Sequence, residues 1–313
     1  MRAIVSGSAG FIGYHLCRRL LDDGFKVVGL DSFISGQRAN IDELSRDARF
    51  SFVETDIARP FEVSGPLDHV YDFACPASPI DFEPHALEIM AVCSNGVRNM
   101  LELALAKQAR FLHASTSECY GDPLVHPQNE DYWGHVNPIG PRAPYDEGKR
   151  FAEAMTMAYH RRHQMPTRLV RIFNTYGPRM RPSDGRALPN MINQALEGSP
   201  LTVYGDGSQT RSFCYVSDLI DGVIRLMNGA YALPVNIGNP LEQAIIDVAR
   251  KVIEFCGSRS SIEFRPLPAD DPRMRQPDIA RARQLLSWEP KTPFDVGLRA
   301  TIDYFRSLRT GSA

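Results

Sequence analysis

The sequence predicts an α/β fold in which a doubly wound parallel sheet is followed by a smaller C-terminal α/β lobe. Short apolar strand patterns alternate with longer helical stretches through the first half of the chain, and a glycine-rich turn separates the first strand from the first helix. The alternation is typical of parallel sheets whose strands are joined by helices, and the turn is typical of the Rossmann type of such a sheet. After about Gly177, proline and glycine become more frequent and the predicted elements shorten, which indicates the second lobe.

The predicted sheet strands are short runs rich in β-branched and aromatic residues. In chain order they occupy residues 2–5, 27–30, 50–53, 69–73, 110–114 and 168–172, and helical stretches occupy residues 15–21, 86–106 and 145–163. A further short strand at 201–204 lies in the second lobe. We expect a nucleotide-binding domain with the catalytic residues over 1–177 and a mainly substrate-binding lobe over 178–313, with the chain crossing between them.

The turn after the first strand spans residues 7–13 and reads GSAGFIG. Gly7 permits the tight turn, Gly10 lets the backbone approach a pyrophosphate, and Gly13 lets the helix pack closely on the strand. The pyrophosphate would then lie at the helix N-terminus. Asp31 ends the second strand, where its carboxylate would accept hydrogen bonds from a ribose diol and repel a 2′-phosphate. The pattern predicts NAD as the cofactor; the alternative is a glycine-rich turn in an α/β core that binds none.

A tyrosine and a lysine four residues apart, Tyr145 and Lys149, lie on one face of a predicted helix. The ammonium would hold the phenol oxygen and lower its pKa, and a nicotinamide cation would lower it further. A tyrosine tuned in this way is a general base for an alcohol. The spacing alone is weak, because it also occurs on exposed helix faces, but beside the glycine-rich turn it predicts an acid–base site.

Composition excludes several other classes of protein. The chain has 313 residues, 43% of them hydrophobic, and a net charge of −2, which argues against a nucleic-acid-binding surface. We expect no signal peptide and no membrane span, because the chain opens directly into a strand and no apolar run is long enough. The six cysteines form no Cys-x-x-Cys pair, so we expect no metal site and scattered buried thiols in a reducing cytoplasm.

Longer stretches carry a more specific signal. They are CPASP at 75–79, STSECYGDP at 115–123, HPQ at 126–128, YWGHVNPIGPR at 132–142, RIFN at 171–174, NTYGP at 174–178, GSQTRSF at 207–213, and the segment from Asp270-Asp271-Pro272 through Arg275 to Pro277-Asp278-Ile279. Together with the glycine-rich turn they resemble the extended short-chain dehydrogenase/reductases that act on sugar nucleotides. More narrowly, the chain resembles the UDP-glucuronate decarboxylases, or UDP-xylose synthases, almost from end to end.

The resemblance implies an NAD-dependent decarboxylation of UDP-glucuronate to UDP-xylose through a UDP-4-keto sugar, with the bound NAD recycled. The implied catalytic residues are Thr116, Glu118, Tyr145 and Lys149. The implied NAD-binding residues are Gly7, Gly10, Phe11, Ile12, Gly13, Asp31, Ser32, Phe33, Ser35, Gly36, Asp56, Ile57, Phe73, Cys75, Ser115, Tyr145, Lys149 and Thr175. The implied substrate-binding residues are Glu118, Asn174, Arg186, Tyr204, Arg211 and Arg275. Arg179 and Arg181 form a loop cluster with Arg186 that would help to bind either diphosphate.

Position 117 separates two reactions within this group. In the related sugar-nucleotide 4,6-dehydratases an Asp follows the catalytic Thr and protonates the departing 6-hydroxyl, whereas this chain has Ser117. Decarboxylation needs no such acid, so Ser117 favours the decarboxylase. The alternatives are a nucleotide-sugar 4,6-dehydratase or 4-epimerase, or an NAD-binding regulatory homologue without activity. The joint presence of the four catalytic residues argues against the last.

Two further expectations come from the resemblance. Cys93 stands where these enzymes usually have an asparagine, a loss that would weaken NAD retention. The chain is expected to form a homodimer through a four-helix bundle, built in each subunit from the helices at 86–106 and 145–163. A UDP-sugar is the expected partner, with no nucleic acid and no membrane.

Overall fold

The computed structural model describes residues 1–266 and 274–311. The Asp270-Asp271-Pro272 part of the family-like segment lies outside the described residues. Within the described ranges, no helix combines the length and the apolar character that crossing a bilayer requires.

The first part of the chain alternates strands and helices as the sequence predicts. Its elements are β1 (Arg2–Ser6), α1 (Phe11–Asp22), β2 (Lys26–Asp31), α2 (Arg38–Leu44), β3 (Phe50–Glu54), β4 (His69–Asp72), α3 (Ala86–Ala91), α4 (Val97–Lys107), β5 (Arg110–Thr116), α5 (Ala143–His163) and β6 (Thr167–Ile172). Each predicted strand is present to within two residues at either end.

The second part of the chain has shorter elements. They are β7 (Thr175–Tyr176), α6 (Ala187–Glu197), β8 (Leu201–Tyr204), β9 (Thr210–Ser212), β10 (Cys214–Tyr215), α7 (Val216–Asn228), β11 (Pro234–Ile237), β12 (Glu242–Ala244), α8 (Ile245–Cys256), β13 (Ile262–Arg265), α9 (Ala280–Leu286) and α10 (Phe294–Thr310).

A seven-stranded parallel sheet organises the molecule, with the order β11-β6-β5-β4-β1-β2-β3. The strand order reverses beside β1, because the chain first adds β2 and β3 on one side and then returns to place β4 on the other. In such sheets, ligands bind outside the carboxyl ends of the strands at this reversal. The edge strand beside β6 is β11, which comes from the second half of the chain.

Helices cover both faces of the sheet. On one face α1 and α7 contribute the buried Leu16, Leu20, Leu219 and Val223. The opposite face is covered mainly by α4, through Met100 and its neighbours, with α5 beside it. The second lobe has a separate apolar core between α6, α8 and α10. Burial on both faces explains why the strands read as continuous apolar runs.

The predicted helix at 86–106 has an interruption. A π-helical turn, Val92–Gly96, separates α3 from α4 without breaking the helical path. Such a turn holds one extra residue and often lies at a functional site. Cys93 lies in this turn and is buried.

Candidate active site

A cleft of about 890 Å³ lies at the carboxyl ends of β1, β4 and β5 and extends to the second lobe. A smaller cavity of about 70 Å³ adjoins it and includes Asp31. The two share Gly7, Gly10, Phe73 and Cys75 in their walls. Every site residue predicted from the sequence lines one of these two cavities except Phe33, whose ring packs on Phe52, and Arg179.

The glycine-rich turn leaves no room for side chains at two positions. Gly7 has a φ of +73°, and a Cβ there would lie 2.7 Å from the carbonyl oxygen of Phe73. A Cβ on Gly13 would lie only 1.9 Å from the carbonyl oxygen of Gly7. Helix α1 begins immediately after Gly10, so its first backbone N–H groups lie at the cleft. This cradle fits the pyrophosphate of a dinucleotide.

The carboxylate of Asp31 is tied to the same turn. Its Oδ2 accepts a hydrogen bond from the backbone N–H of Ala9 at 3.0 Å, and its Oδ1 accepts one from that of Phe33 at 2.8 Å. Burial raises the pKa of Asp31, and these backbone donors oppose the rise. The carboxylate reaches the smaller cavity, where it suits a ribose diol.

We expect Asp31→Ala to narrow the preference for NAD⁺ over NADP⁺. The change removes both the acceptor for the ribose hydroxyls and the charge that repels a 2′-phosphate. Titration of the two cofactors by fluorescence measures the ratio, with Glu54→Ala as the control because this exposed acid at the end of β3 lies outside both cavities. Equal binding of NAD⁺ and NADP⁺ by the unchanged protein would contradict the ribose role.

Three of the predicted catalytic residues meet in the cleft. Tyr145 lies in the first turn of α5, and a hydrogen bond links its hydroxyl to that of Thr116 at the end of β5. Lys149 follows one turn later and donates a hydrogen bond from its Nζ to the carbonyl oxygen of Ala114 at 2.8 Å. The Tyr145 ring stacks on Phe82, with centroids 4.6 Å apart and planes 14° apart. Phe82 therefore fixes the ring, while Thr116 and the charge of Lys149 act on the hydroxyl.

Lys149 lowers the pKa of this tyrosine, as the spacing predicts, but the effect of burial is larger. Burial raises the pKa of Tyr145 well above its ordinary value, and the charge of Lys149 and the hydrogen bond with Thr116 only oppose that rise. Lys149 itself stays charged, because nearby Cys75 and Cys93 raise its pKa against the effect of burial. The sequence spacing correctly identified the direction in which Lys149 acts, but it carried no information about desolvation.

Glu118 lies between two guanidinium groups. Arg275, from the second lobe, donates two hydrogen bonds to its carboxylate, one of them to Oε2 at 2.9 Å. Arg142, just before α5, donates a third to Oε2 at 2.8 Å. Burial by itself raises the pKa of Glu118, but the charges of Arg275 and Arg142 and their hydrogen bonds hold it at about 2. The carboxylate is ionised and fixed in the wall of the cleft.

Sequence reasoning missed Arg142 and Phe82, which both line the cleft. The Arg142 guanidinium lies 5.3 Å from the centre of the Phe82 ring, whose other contact is Tyr145. Arg142 precedes Tyr145 by three residues, and this spacing places two residues on one helix face. The spacing could therefore have identified Arg142 as a site residue. No sequence pattern could have identified Phe82, because it contacts Tyr145 from a loop more than sixty residues away in the chain.

A second acid lies beside this cluster. Asp146 is buried, its Oδ2 is 3.9 Å from Nε of Arg142, and within the described residues its Oδ1 has no hydrogen-bond partner. Burial, and then the charge of Glu118, raise its pKa to about 7 against the effect of Arg142 and Arg275. Ionised Asp146 therefore destabilises the folded state.

We expect Asp146→Asn to stabilise the protein at pH 8 by on the order of a few kcal/mol and to have little effect near pH 4. The folded-state pKa is raised above the unfolded value, so the penalty is absent below about pH 4, grows as the pH rises and is complete above about pH 7. Urea unfolding at both pH values measures the difference. Glu147→Gln is the control, since the side chain of Glu147 is 41% exposed and no comparable gain is expected. An equal gain at both pH values would contradict the assignment.

The remaining predicted arginines differ in position. Arg186 lines the cleft and forms an ion pair with Asp184, with Nη2 and Oδ2 2.8 Å apart. Arg211 lines the cleft near Tyr204. Arg181 pairs with Asp81 at 2.6 Å across the cleft mouth. Arg179 forms an ion pair with Glu43 of α2 and lies over the ring of Tyr14 of α1. Its contacts are therefore with these two helices rather than with the cleft.

The possible metal ligands and the thiols are the last candidate site residues. The described ranges hold no group of three or more His, Cys, Asp or Glu side chains suited to a metal ion. All six cysteines are free, but they are not all scattered, since the sulfur atoms of Cys75 and Cys93 lie 3.8 Å apart. Nothing in the sequence indicates that these two sulfur atoms lie close together.

Comparison with known proteins gives consistent matches. The sequence profile of the NAD dependent epimerase/dehydratase family matches residues 3–238. UDP-glucuronic acid decarboxylase 1 of Danio rerio is 48% identical over 304 residues, which cover 97% of this chain and 72% of that protein. UDP-glucuronic acid decarboxylase 3 of Arabidopsis thaliana is 47% identical over 307 residues, covering 98% of this chain and 89% of that protein.

Solved structures share the whole fold at lower identity. The UDP-glucuronic acid 4-epimerase of Bacillus cereus, in complex with UDP-glucuronic acid and NAD, is 30% identical with a TM-score of 0.87 and covers 98% of this chain and 100% of that one. A dTDP-glucose 4,6-dehydratase from Streptomyces venezuelae with NAD bound is 28% identical with a TM-score of 0.89, covering 99% and 98%.

Proposed function

The chain belongs to the NAD-dependent epimerase/dehydratase family, and from this premise we propose that it is a UDP-glucuronate decarboxylase that forms UDP-xylose with NAD as a recycled cofactor. Decarboxylases of this substrate are the relatives that share nearly half of its residues. The second lobe, with Arg186, Tyr204 and Arg211, is proposed to bind the UDP part of the substrate.

The observation that carries the proposal is the pair of guanidinium groups, from Arg275 and Arg142, in the same cleft as Tyr145. Arg275 and Arg142 both form ion pairs with Glu118, so two guanidinium charges face one carboxylate, and this excess of positive charge favours a second, substrate carboxylate near the acid–base residues. Guanidinium groups suit bidentate recognition of a carboxylate. Ser117, also in the cleft wall, offers a hydroxyl where water loss from a neutral sugar would need a carboxylic acid.

The residues divide the chemistry between them. Gly7, Gly10 and Gly13 would cradle the NAD, and Asp31 would hold its ribose. When bound, NAD would supply a reversible hydride acceptor for C4 of the sugar and a positive charge near the phenol. Tyr145 takes the proton of the sugar 4-hydroxyl, helped by the charge of Lys149.

The oxidised sugar is a β-keto acid, because its C4 carbonyl is next to the carbon that carries the carboxylate. Carbon dioxide leaves as the C5–carboxyl bond breaks, and its electron pair becomes the enolate of C4. Protonated Tyr145 and Thr116 stabilise the enolate oxygen by hydrogen bonds. C5 then takes a proton from water. As a hydride returns to C4, Tyr145 gives its proton to the 4-oxygen and the alcohol re-forms.

A UDP-glucuronate 4-epimerase is the second candidate, because the Bacillus cereus enzyme of that name shares the fold and 30% of the residues. It would use the same base and the same oxidation at C4 but would keep the carboxylate. The loss of carbon dioxide therefore distinguishes the two functions directly.

The test is incubation of the protein with NAD⁺ and UDP-glucuronate labelled in the carboxyl group. We expect labelled carbon dioxide, UDP-xylose by NMR and no net NADH at 340 nm. UDP-glucose and dTDP-glucose should give no 4-keto-6-deoxy sugar. UDP-galacturonate without carbon dioxide would establish the epimerase, a 4-keto-6-deoxy product from a neutral sugar would establish the dehydratase, and NAD binding without turnover would indicate a regulatory homologue.

We also propose that the protein is a homodimer. Large apolar side chains are exposed on the helices of the predicted bundle, with Leu87 77%, Met90 52% and Phe151 50% exposed. Light scattering after gel filtration should give twice the mass of the chain, and Phe151→Glu should give the monomer. Phe264→Glu, at a residue 55% exposed on β13, is the matched control and should remain dimeric. A monomeric unchanged protein would contradict the proposal.

The cytoplasm is the proposed compartment. All six cysteines are free, as expected where thiols are kept reduced. Fractionation of the native cells should recover the protein with cytoplasmic markers, and recovery in a secreted or membrane fraction would contradict this.

A further inference from the structure

Two thiols lie side by side in the wall of the cofactor cleft. The sulfur atoms of Cys75 and Cys93 are 3.8 Å apart. Cys75 follows β4 and lines both the main cleft and the smaller cavity, so small solutes that enter the cleft reach it. Cys93 lies behind it in the π-helical turn and is only 1% exposed.

The surroundings hold Cys93 against the reacting residues. A Cβ on Gly148 would lie 3.2 Å from both Cβ and Sγ of Cys93, so helix α5 presses directly on this side chain. Cys93 also packs in one apolar cluster with Phe82 and Tyr145, and Cys75 packs against that cluster. A change in the thiol pair is thus transmitted directly to the ring of Tyr145.

The two thiols have different chemical characters. A hydrogen bond from Cys93 lowers the pKa of Cys75 against the effect of burial, and the charge of Lys149 lowers it further. The same bond and burial raise the pKa of Cys93 well above its ordinary value. Cys75 is accordingly the more nucleophilic partner, and Cys93 is a thiol placed to attack it in turn.

We propose that Cys75 and Cys93 are a site of covalent modification, at which hydrogen peroxide converts the two thiols to a disulfide that reversibly inactivates the enzyme. The Cys75 sulfur attacks one oxygen of the peroxide and the O–O bond breaks. One water is released, and Cys75 becomes a sulfenic acid. The Cys93 sulfur then attacks Cys75, the S–S bond forms, the S–O bond breaks, and a second water leaves. Two thiols are oxidised by two electrons and one peroxide is reduced to two waters.

Inactivation follows from the distance that must close. A disulfide has an S–S distance of about 2.05 Å, whereas the sulfurs are now 3.8 Å apart. Closing this gap shifts the wall that carries Cys75 and the cluster that positions Tyr145. Misplacement of a reacting group by about 1 Å costs on the order of 10²-fold in rate, so we expect the disulfide to lower turnover more than tenfold.

The test treats reduced holoenzyme with hydrogen peroxide and maps its peptides without reduction by mass spectrometry. We expect a peptide pair linked through Cys75 and Cys93, a loss of activity that follows its formation, and recovery of both in dithiothreitol. Cys93→Ala, compared with its own reduced activity, should form no such link and lose much less activity. Cys256→Ser, at the end of α8 and away from the pair, should remain as sensitive as the unchanged protein.

Peroxide treatment that leaves Cys75 and Cys93 unlinked would overturn the proposal, as would equal loss of activity in Cys93→Ala and the unchanged protein. The peptide map does not depend on which sugar nucleotide the enzyme uses. Failure of the proposed decarboxylation would therefore leave the mapped link intact, and the two failures are distinguishable.

Discussion

Replacing Tyr145 with phenylalanine is expected to lower the turnover of UDP-glucuronate by roughly 10²–10⁴-fold, which is the usual contribution of general acid–base catalysis. The ring and its stacking on Phe82 remain, and only the hydroxyl that exchanges the proton with the 4-oxygen is lost. NAD and UDP-sugar binding should persist, because the cradle and the second lobe are unchanged. Steady-state kinetics and isothermal titration separate the two effects.

The matched control is Tyr71→Phe, which removes a hydroxyl from another buried tyrosine, in β4. Because Tyr71 does not line the cleft, its loss should leave turnover within a few-fold of the unchanged protein. Near-normal turnover of Tyr145→Phe would reject Tyr145 as the base. Loss of NAD binding in the same variant would assign it a structural role instead.

Replacing Arg275 with methionine is expected to lower kcat/KM for UDP-glucuronate by roughly 30-fold to several thousand-fold. Removing one partner of a buried, hydrogen-bonded charge pair costs about 2–5 kcal/mol. Here the substrate carboxylate and Glu118 both lose a guanidinium partner, and Glu118 keeps only Arg142. Binding of UDP-xylose, which has no carboxylate, should weaken less, and inhibition constants for the product measure this.

Arg275→Lys should lower kcat/KM for UDP-glucuronate less than Arg275→Met does, because lysine keeps the positive charge although it cannot form the bidentate hydrogen bonds. Arg283→Met is the control, since that arginine is exposed on α9 and pairs with Glu289. If UDP-glucuronate and UDP-xylose weakened equally, Arg275 would serve the nucleotide rather than the carboxylate, and its assigned role would be rejected.

Local patterns explain what the sequence predicted well. The strands from β1 to β6, the turn from Gly7 to Gly13 and the position of Asp31 depend on residues within a few places of one another. The Tyr145 and Lys149 pair is set by the helical repeat alone. The π-helical turn at Val92–Gly96 was not predictable in this way, because a one-residue bulge leaves the apolar pattern of the helix almost unchanged.

The sequence by itself thus determined the sheet, the glycine cradle and the spacing of the acid–base pair, because backbone conformation and helix periodicity are local. Only the tertiary structure decided which charges meet and how strongly each group is desolvated. It brought Arg275 from the second lobe to Glu118 and turned Arg179 away to Glu43. It raised the pKa of Tyr145 by burial and placed Cys75 beside Cys93. These contacts depend on how loops far apart in the chain pack at one edge of the sheet, which no short segment encodes.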